Sequence, residues 1–139
     1  IANPDTACIA RCMRLALADA GIEPGEVGYV NAHATATEQG DIAECAAIAE
    51  VFGAETPVSS LKGHMGHTMA ASGALELAAC VEMLRREVLI PTLNLDEVDP
   101  ACASVLHQRE VAQRRVDTLI KNNFALGGVN SSIILRRYV

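Results

Sequence analysis

Two histidines and a lysine, in two segments rich in small residues, are the side chains in this sequence best suited to chemistry. His33 lies in Asn31–Thr37, an Asn-Ala-His-Ala-Thr-Ala-Thr segment, and Lys62 and His67 lie in Ser59–His67. Imidazole exchanges its proton near neutral pH, and small neighbours let a substrate approach the backbone closely. Two histidines in separate loops, one of them five residues after a lysine, therefore indicate a candidate catalytic site.

A zinc site is the main competing use of these histidines. Zinc in proteins takes three or four ligands from histidine, cysteine and carboxylate side chains. His64 and His67 have no dependable third ligand close in sequence, and no cysteine lies beside them. The sequence therefore predicts no bound metal. For either histidine taken alone, a structural role on a turn is the simpler alternative.

The elements that must position these loops alternate between helices and strands. Apolar residues recur at helical spacing in residues 5–20, 41–52 and 68–86, and strand patterns occupy 27–32, 57–60, 116–124 and 129–137. Residues 91–113 are predicted to be mostly irregular, and the last two strands to form an antiparallel hairpin. This order predicts an α/β fold with a mixed sheet covered by helices. Both histidine loops follow strands. They therefore lie at the carboxyl ends of the strands, where sheets of this kind carry their binding and catalytic sites.

The helices carry three more specific expectations. At the first helix we expect Asn3 as the N-cap, Pro4 at the first helical position and Asp5 in the first turn. In the second helix Glu44 is expected to point outward, and the third is so rich in small and apolar residues that burial on all sides is predicted. The chain opens with Ile1 directly before a helix start, which suggests a piece of a longer protein.

Composition narrows the class of protein. The 139 residues are half apolar and only 3 % aromatic, which predicts one domain with an aliphatic core. A net charge of −6 argues against nucleic-acid binding, and no apolar run approaches the roughly 20 residues of a membrane span. Five cysteines lack paired spacing, so we expect buried thiols in a reducing cytoplasm at Cys8, Cys12, Cys45 and Cys80.

Three motifs, in order along the chain, resemble those of β-ketoacyl synthases. Residues 29–41 resemble the family's Asn-Ala-His-Gly-Thr-x-Thr segment, and residues 59–76 resemble its Lys-x-x-x-Gly-His segment, small-residue helix and glutamate. Residues 122–130 resemble its Asn-x-Phe-Gly-Phe-Gly-Gly-x-Asn loop. The resemblance implies a thiolase-like fold, with residues 1–139 as the C-terminal half, a mixed five-stranded sheet covered by helices, and the N-terminal half absent from this chain.

The resemblance implies an acyltransferase that condenses an acyl thioester with malonyl–acyl carrier protein, with loss of CO₂, in fatty-acid or polyketide synthesis. A cysteine of the other half would hold the acyl chain. His33 and His67 would donate hydrogen bonds to the malonyl thioester oxygen, and Lys62 would orient His67 and add positive potential. Matching positions assign substrate binding to Thr35, Thr37, Phe124, Leu126 and Gly127, and support of the catalytic residues to Glu76 and Asp41.

The implied partners follow from this chemistry. Both substrates would arrive on the phosphopantetheine arm of an acyl carrier protein, so no cofactor held by this chain is expected. The N-terminal half is a further partner, and a homodimer or heterodimer of synthase-like subunits is expected, in the cytoplasm and without nucleic acid. Carrier proteins are acidic, so Arg85–Arg86 and Arg114–Arg115 are candidate docking residues, although a solvated surface explains each pair as well.

Two other functions compete with an active synthase. A non-catalytic, chain-length-factor-like partner subunit usually lacks the nucleophilic cysteine, but the presence of His33, Lys62 and His67 favours the active enzyme. A degradative or decarboxylating thiolase-like enzyme fits the spacing of Lys62 and His67 less well. Cys102 imitates a synthase nucleophile, but the family's nucleophile precedes both histidines. This chain alone is therefore not expected to catalyse condensation.

Four positions depart from the family's motifs, at Ala34, Ala36, Ala70 and Leu126. Ala34 stands where the family usually has glycine, so the backbone there must suit a residue with a Cβ. Leu126 stands where the family commonly has a gating phenylalanine, while the backbone N–H expected to serve a second oxyanion hole, for the acyl thioester, is retained. Such departures predict a synthase of a specialised pathway rather than of housekeeping fatty-acid synthesis.

Overall fold

The computed structural model describes residues 4–125 and 127–138. Within these ranges the α-helices are α1 (Thr6–Ala20), α2 (Glu38–Phe52), α3 (Lys62–Met65) and α4 (Ser72–Arg86). The strands are β1 (Tyr29–Asn31), β2 (Pro57–Ser59), β3 (Val88–Leu89), β4 (Leu106–His107), β5 (Ala112–Gln113), β6 (Thr118–Ala125) and β7 (Val129–Arg136). The three predicted helices and four predicted strands are therefore confirmed. No helix in the described part of the chain is long and apolar enough to cross a membrane.

One mixed sheet organises the described residues, with its five strands in the order β4-β2-β1-β6-β7. Strand β1 pairs parallel with β2 and β6, β2 pairs parallel with β4, and β6 and β7 form the antiparallel hairpin. The sheet strand that was not predicted, β4, lies inside the segment predicted to be irregular. Strand β5, which pairs with β3, lies in the same segment. Strands of two residues are too short to show a periodic pattern, which explains the omission.

The sheet separates two clusters of buried side chains. Val30 and Ile120 belong to the cluster that α1 and α2 cover, whereas Tyr29 and Leu119 belong to the cluster that α4 covers. Adjacent residues of a strand point to opposite faces, so β1 and β6 contribute to both clusters. Each fully buried aliphatic side chain contributes about 1.5–3 kcal/mol to stability. The predicted helix cover of the sheet is thus present on both faces.

Helix α1 begins differently from the sequence-based expectation. Asp5 has extended backbone angles (φ −87°, ψ 108°), and its carboxylate accepts hydrogen bonds from the N–H groups of Ala7 and Cys8. Asp5 is therefore the N-cap, and its assignment to the first turn was wrong, as was helical placement of Pro4. Asn3 lies outside the described residues. Asn and Asp are both good caps, so the sequence offered two starting points.

Helix α4 is buried on one side only, so the prediction of burial on all sides was wrong for this chain. Its buried residues are Ser72, Glu76, Cys80, Met83 and Leu84. Leu75 and Val81 remain 48 % and 40 % exposed, and Met69, in the turn before the helix, is 74 % exposed. The exposed side thus carries large apolar side chains, and nothing among the described residues covers it.

The cysteines follow the expectation in part. Cys45 and Cys80 are buried, whereas Cys12 is half-buried and Cys8 is exposed. The Sγ of Cys8 lies 3.3 Å from a carboxylate oxygen of Asp5. Cys8 was expected to be buried because alanine and leucine surround it in sequence, but it lies on the outer side of α1.

Candidate active site

Three neighbouring parallel strands bring the predicted catalytic loops together. His33 follows β1, and Lys62 and His67 follow β2, so both loops leave the same edge of the sheet. The ring centroids of His33 and His67 are 5.5 Å apart, with the planes at 88°. Phe124, near the end of β6, lies 5.7 Å from His33 in a similar edge-on arrangement. The site therefore forms where β2, β1 and β6 end.

Lys62 fixes the tautomer of His33. Its Nζ lies 3.4 Å from Nδ1 of His33. An ammonium can only donate, so Nδ1 accepts and the ring proton sits on Nε2. Burial and the positive charges of Lys62 and Lys121 lower the pKa of His33 to about 4, so the ring is neutral at pH 7. The expectation that Lys62 orients His67 was wrong, since the lysine contacts the other histidine.

His67 is oriented by the backbone instead. Its Nδ1 accepts a hydrogen bond from the N–H of Met69 at 3.1 Å. That contact places the proton of a neutral ring on Nε2. Met69 has a φ of +52°, so the turn after His67 adopts an unusual conformation to make this contact. His33 and His67 thus form an adjacent pair of imidazoles, each with an Nε2–H available to donate.

A buried carboxylate with two lysines lies beneath this pair. Glu76 accepts from Lys62 at 2.7 Å and from the hydroxyl of Ser72 at 2.9 Å through one oxygen, and its other oxygen pairs with Lys121. The side chains of Lys62, Glu76 and Lys121 are 7 %, 1 % and 0 % exposed. Burial is the largest single influence on Glu76 and raises its pKa. The two lysines together lower the pKa by more than burial raises it, so the pKa lies below its usual value. The expected contact between Glu76 and Lys62 is present.

Lys121 was not among the residues predicted from the sequence. It occupies the middle of β6, after Thr118, Leu119 and Ile120, all of which are buried. A lysine within an apolar strand was the available signal, because charged side chains are almost never fully buried unless they are paired. Its partner, Glu76, lies 45 residues earlier in the chain, so local patterns could not link the two.

Glu44 also contributes to the site, and the expectation that it points outward was wrong. It is 2 % exposed, and its carboxylate accepts the backbone N–H groups of His33 at 2.9 Å and Ala34 at 2.8 Å. The side-chain amide of Asn122 donates to it at 3.3 Å. Burial raises the pKa of Glu44, and these donors oppose that change. Glu44 therefore links the His33 loop to α2 and β6 through these hydrogen bonds.

The predicted substrate-binding threonines lie on the same loop. The hydroxyl oxygens of Thr35 and Thr37 are 3.2 Å apart, and the loop is largely exposed there. Burial raises the pKa of Asp41 above its usual value. The nearby backbone N–H groups of Ala36 and Thr35 act in the opposite direction and lower the pKa by less. Asp41, at the start of α2, therefore lies close beneath the loop that carries the two hydroxyls.

Two alanines of this loop have left-handed backbone conformations. Ala34 has a φ of +29° and Ala36 a φ of +61°. Residues with a Cβ pay about 1–2 kcal/mol in this region. The expectation that the backbone at Ala34 suits a Cβ was therefore wrong. Both alanines are in strained conformations, next to the backbone N–H groups of His33 and Ala34 that donate to Glu44.

The hairpin between β6 and β7 carries the remaining predicted residues. Gly127 and Gly128 have φ values of +82° and +80°, which explains the need for glycine at this tight turn. Gly127 is exposed at the tip, three residues beyond Phe124. Leu126 lies outside the described residues, so its oxyanion-hole N–H stays a prediction.

Neither a nucleophilic thiol nor a metal site accompanies these residues in the part of the chain described. Cys102 lies in a short 3-10 turn at Pro100–Cys102 and is 8 % exposed. Burial raises the pKa of its thiol, the opposite of what a reactive cysteine needs. Among residues 4–125 and 127–138, no three histidine, cysteine, aspartate or glutamate side chains are grouped to hold a metal ion.

Comparisons with known proteins identify the family to which the chain is similar. The family model described as the C-terminal domain of beta-ketoacyl synthase matches residues 1–96. The chain is 37 % identical, over 138 residues, to 3-oxoacyl-[acyl-carrier-protein] synthase 2 of Coxiella burnetii, covering 97 % of this chain and 33 % of that protein. A crystal structure of a beta-ketoacyl synthase from Burkholderia phymatum STM815 is 47 % identical and superposes with a TM-score of 0.96, covering 99 % of this chain and 34 % of that one.

A third relative comes from polyketide synthesis. It is a ketosynthase bound to a hexaketide, in complex with its type II polyketide acyl-carrier protein, and is 32 % identical with a TM-score of 0.91. The match covers 99 % of this chain and 35 % of that one. The chain therefore spans about a third of the length of the relatives it matches, and its fold is that of the C-terminal part of a ketosynthase. By sequence and by structure, the chain belongs to the β-ketoacyl synthase family.

Proposed function

We propose that this chain supplies the C-terminal catalytic part of a β-ketoacyl–acyl carrier protein synthase. Malonyl–carrier protein loses CO₂, the carbanion left at its methylene carbon attacks an acyl thioester on the enzyme, and the cysteine thiolate leaves as the 3-oxoacyl product forms. The observation that carries the proposal is the adjacent pair of imidazoles, His33 and His67, each with its proton on Nε2.

The pair suits the charge that develops in decarboxylation. As CO₂ departs, its bonding electrons move towards the malonyl thioester oxygen, which two Nε2–H donors stabilise. Each donor of this kind typically contributes 10²–10³-fold in rate. The low pKa of His33 matters because a neutral ring holds its hydrogen-bonding proton instead of transferring it to the enolate carbon. Lys62 adds positive charge beside the same ring.

Carrier-bound substrates complete the proposal. The neighbouring hydroxyls of Thr35 and Thr37 on an exposed loop support contact with a phosphopantetheine arm, and the proposal needs no cofactor held by this chain. The solved complex of a related ketosynthase with its carrier protein supports an acyl carrier protein as partner. Arg85 and Arg86 both pair with Glu82, which leaves less positive charge for docking there. An N-terminal half, a dimeric assembly and a cytoplasmic location belong to the same proposal.

The alternative of a chain-length-factor-like partner subunit is not better supported. Such a subunit shapes the pocket of an active synthase and needs no catalytic histidines. Here His33, His67 and Lys62 are brought together, and Glu76 and Glu44 hold the lysine and the His33 loop in place. A non-catalytic role gives no reason for that arrangement.

The test is a condensation assay on the protein purified from its natural source. Its intact mass is measured first, since a mass near three times that of this chain, or a co-purifying second polypeptide, would account for the remainder of the family's length. The protein is then supplied with malonyl–carrier protein and acyl thioesters of several lengths. We expect CO₂ and a 3-oxoacyl–carrier protein detected by mass. Neither decarboxylation nor condensation with any of these substrates would contradict the proposal.

A further inference from the structure

Two buried lysines share one carboxylate beneath the histidine pair. Lys121 pairs with one oxygen of Glu76, whose other oxygen accepts from Lys62 at 2.7 Å. The Nζ of Lys121 also donates to the backbone carbonyl of Asn122 at 2.7 Å, and its side chain is 0 % exposed. A single ammonium would neutralise Glu76. A second buried ammonium is costly to desolvate, so its presence calls for an explanation.

The charges of this cluster do not cancel. Lys62 and Lys121 carry one positive charge each and Glu76 one negative charge, which leaves one net positive charge in a region closed to water. Lys62 is the member of the cluster that contacts His33. Because Lys121 takes one oxygen of Glu76, the charge of Lys62 is only partly balanced. Part of the excess positive charge, the part on Lys62, therefore lies beside the ring of His33.

We propose that Lys121 is a positioning residue of this site, which shares Glu76 with Lys62 and thereby keeps a net positive charge facing His33. The proposal rests on the condensing function proposed above, in which negative charge develops at a thioester oxygen near that ring. Lys121 does not touch the substrate in this account. It acts through Glu76 and Lys62, and its effect is electrostatic.

The protonation of His33 reports on this charge. Four charged or titratable side chains influence the ring: Lys62, Lys121, His67 and Glu76. Glu44 faces the loop from α2 through the backbone N–H of His33. Burial is the largest cause of the low pKa of His33, and both lysines lower it further. Loss of Lys121 removes one of these cations and lets Glu76 neutralise Lys62 fully, so the pKa of His33 rises towards its ordinary value.

The experiment replaces Lys121 by methionine, which keeps the length of the side chain and removes its charge, in the complete natural protein. The matched control is Arg14→Met, which removes an exposed cation that pairs with Glu50 at 2.7 Å, on the outer side of the helices. Histidine NMR titration, with His33 assigned through a His33→Gln variant, measures the midpoint directly. Malonyl decarboxylation is followed over the same pH range.

We expect Lys121→Met to raise the midpoint of His33 by about one pH unit, and the acid limb of kcat to move in the same direction. At pH 7 we expect kcat to fall about tenfold with KM for malonyl–carrier protein little changed, since the lost interaction acts on the developing charge. Arg14→Met should alter none of these quantities.

An unchanged His33 midpoint in a folded Lys121→Met protein would overturn the proposal. If that variant does not fold, Lys121→Gln, which keeps a hydrogen-bond donor for Glu76, carries the same test. Absence of decarboxylation in the wild type would contradict the proposed function instead. The NMR midpoint would still show whether Lys121 controls the charge state of His33, so the two failures are distinguishable.

Discussion

His33 illustrates how neighbours rather than residue type decide what a side chain can do. An exposed histidine is partly protonated near neutral pH, whereas here burial and two lysines lower the pKa to about 4. A neutral ring whose Nδ1 faces an ammonium has one available donor, on Nε2. The donor role proposed for His33 therefore depends on Lys62, Lys121 and Glu76 as much as on the ring itself.

Glu76 gives the residue-scale prediction for stability. Glu76→Gln leaves two buried ammonium groups without a compensating charge, and we expect a loss of about 3–5 kcal/mol in the free energy of unfolding. The matched control, Glu82→Gln on the same helix, removes only exposed pairs with Arg85 and Arg86 and should leave the free energy of unfolding nearly unchanged. Urea unfolding of the complete natural protein measures both. Equal losses would show that the buried charges do not depend on Glu76.

At this scale, the sequence predicted the residues with a local motif and missed those without one. His33, Lys62 and His67 stand in recognisable segments, and the structure gathers them. Lys121 and Glu44 act through contacts with residues far away in the chain or through backbone N–H groups. Outward placement of a glutamate is the sound default, and only the tertiary structure supplies the donors that permit its burial.

At the scale of elements, the loop between β1 and α2 combines strain with tight anchoring. Glu44, on α2, accepts the backbone N–H groups of two consecutive residues of this loop, His33 and Ala34. Ala34 and Ala36 have left-handed conformations at and next to these contacts. Strain of this kind persists only where surrounding contacts fix the backbone, and it occurs often at functional sites. The loop is thus preorganised to present His33.

Ala36 tests this strain directly. Its φ is +61° and its side chain is exposed, so Ala36→Gly removes strain and loses no packing. We expect a gain of about 0.5 kcal/mol, because relief of strain outweighs the extra freedom of glycine in the unfolded chain. Ala46→Gly, at an exposed position inside α2, should instead cost about 1 kcal/mol. Thermal unfolding that shifts both variants downward by the same amount would contradict the strained geometry.

Elements with a recognisable apolar pattern could be predicted, whereas the strands of two residues could not. Helices α1, α2 and α4 and the hairpin of β6 and β7 follow their apolar patterns closely. The strands β3, β4 and β5 have two residues each: β3 and β5 pair with each other, and β4 pairs with β2. Their formation is decided by tertiary contacts rather than by local sequence.

At the scale of the whole molecule, the exposed face of α4 is apolar surface that this chain does not bury by itself. Leu75, Val81 and Met69 are apolar and remain 40–74 % exposed. Contiguous apolar patches on a protein surface usually mark an interaction site. The chain spans about a third of the length of its relatives, so surface of this kind fits a role within a larger protein.

This face predicts the behaviour of the chain when it is produced as residues 1–139 alone. We expect strong fluorescence from a dye that binds exposed apolar surface, and weak fluorescence from the complete natural protein. Substitution of Leu75 by glutamine should reduce the signal of the isolated chain, whereas Leu89→Gln, at a buried position, should increase it by loosening the core. A compact, soluble monomer of residues 1–139 without dye binding would contradict this expectation.

Decarboxylation of malonyl–carrier protein tests the central claim, the paired action of His33 and His67, most directly. CO₂ release is measured at pH 7 for the complete natural protein and for His33→Ala, His67→Ala and His64→Gln. His64 lies in the same loop, and its Nε2 contacts the carbonyl of Pro91 at 2.9 Å, away from the pair, so its replacement serves as the control. We predict that each alanine variant loses about 10²–10³-fold in kcat and that His64→Gln stays near wild type. Full decarboxylase activity in either alanine variant, with the control equally unaffected, would contradict the account.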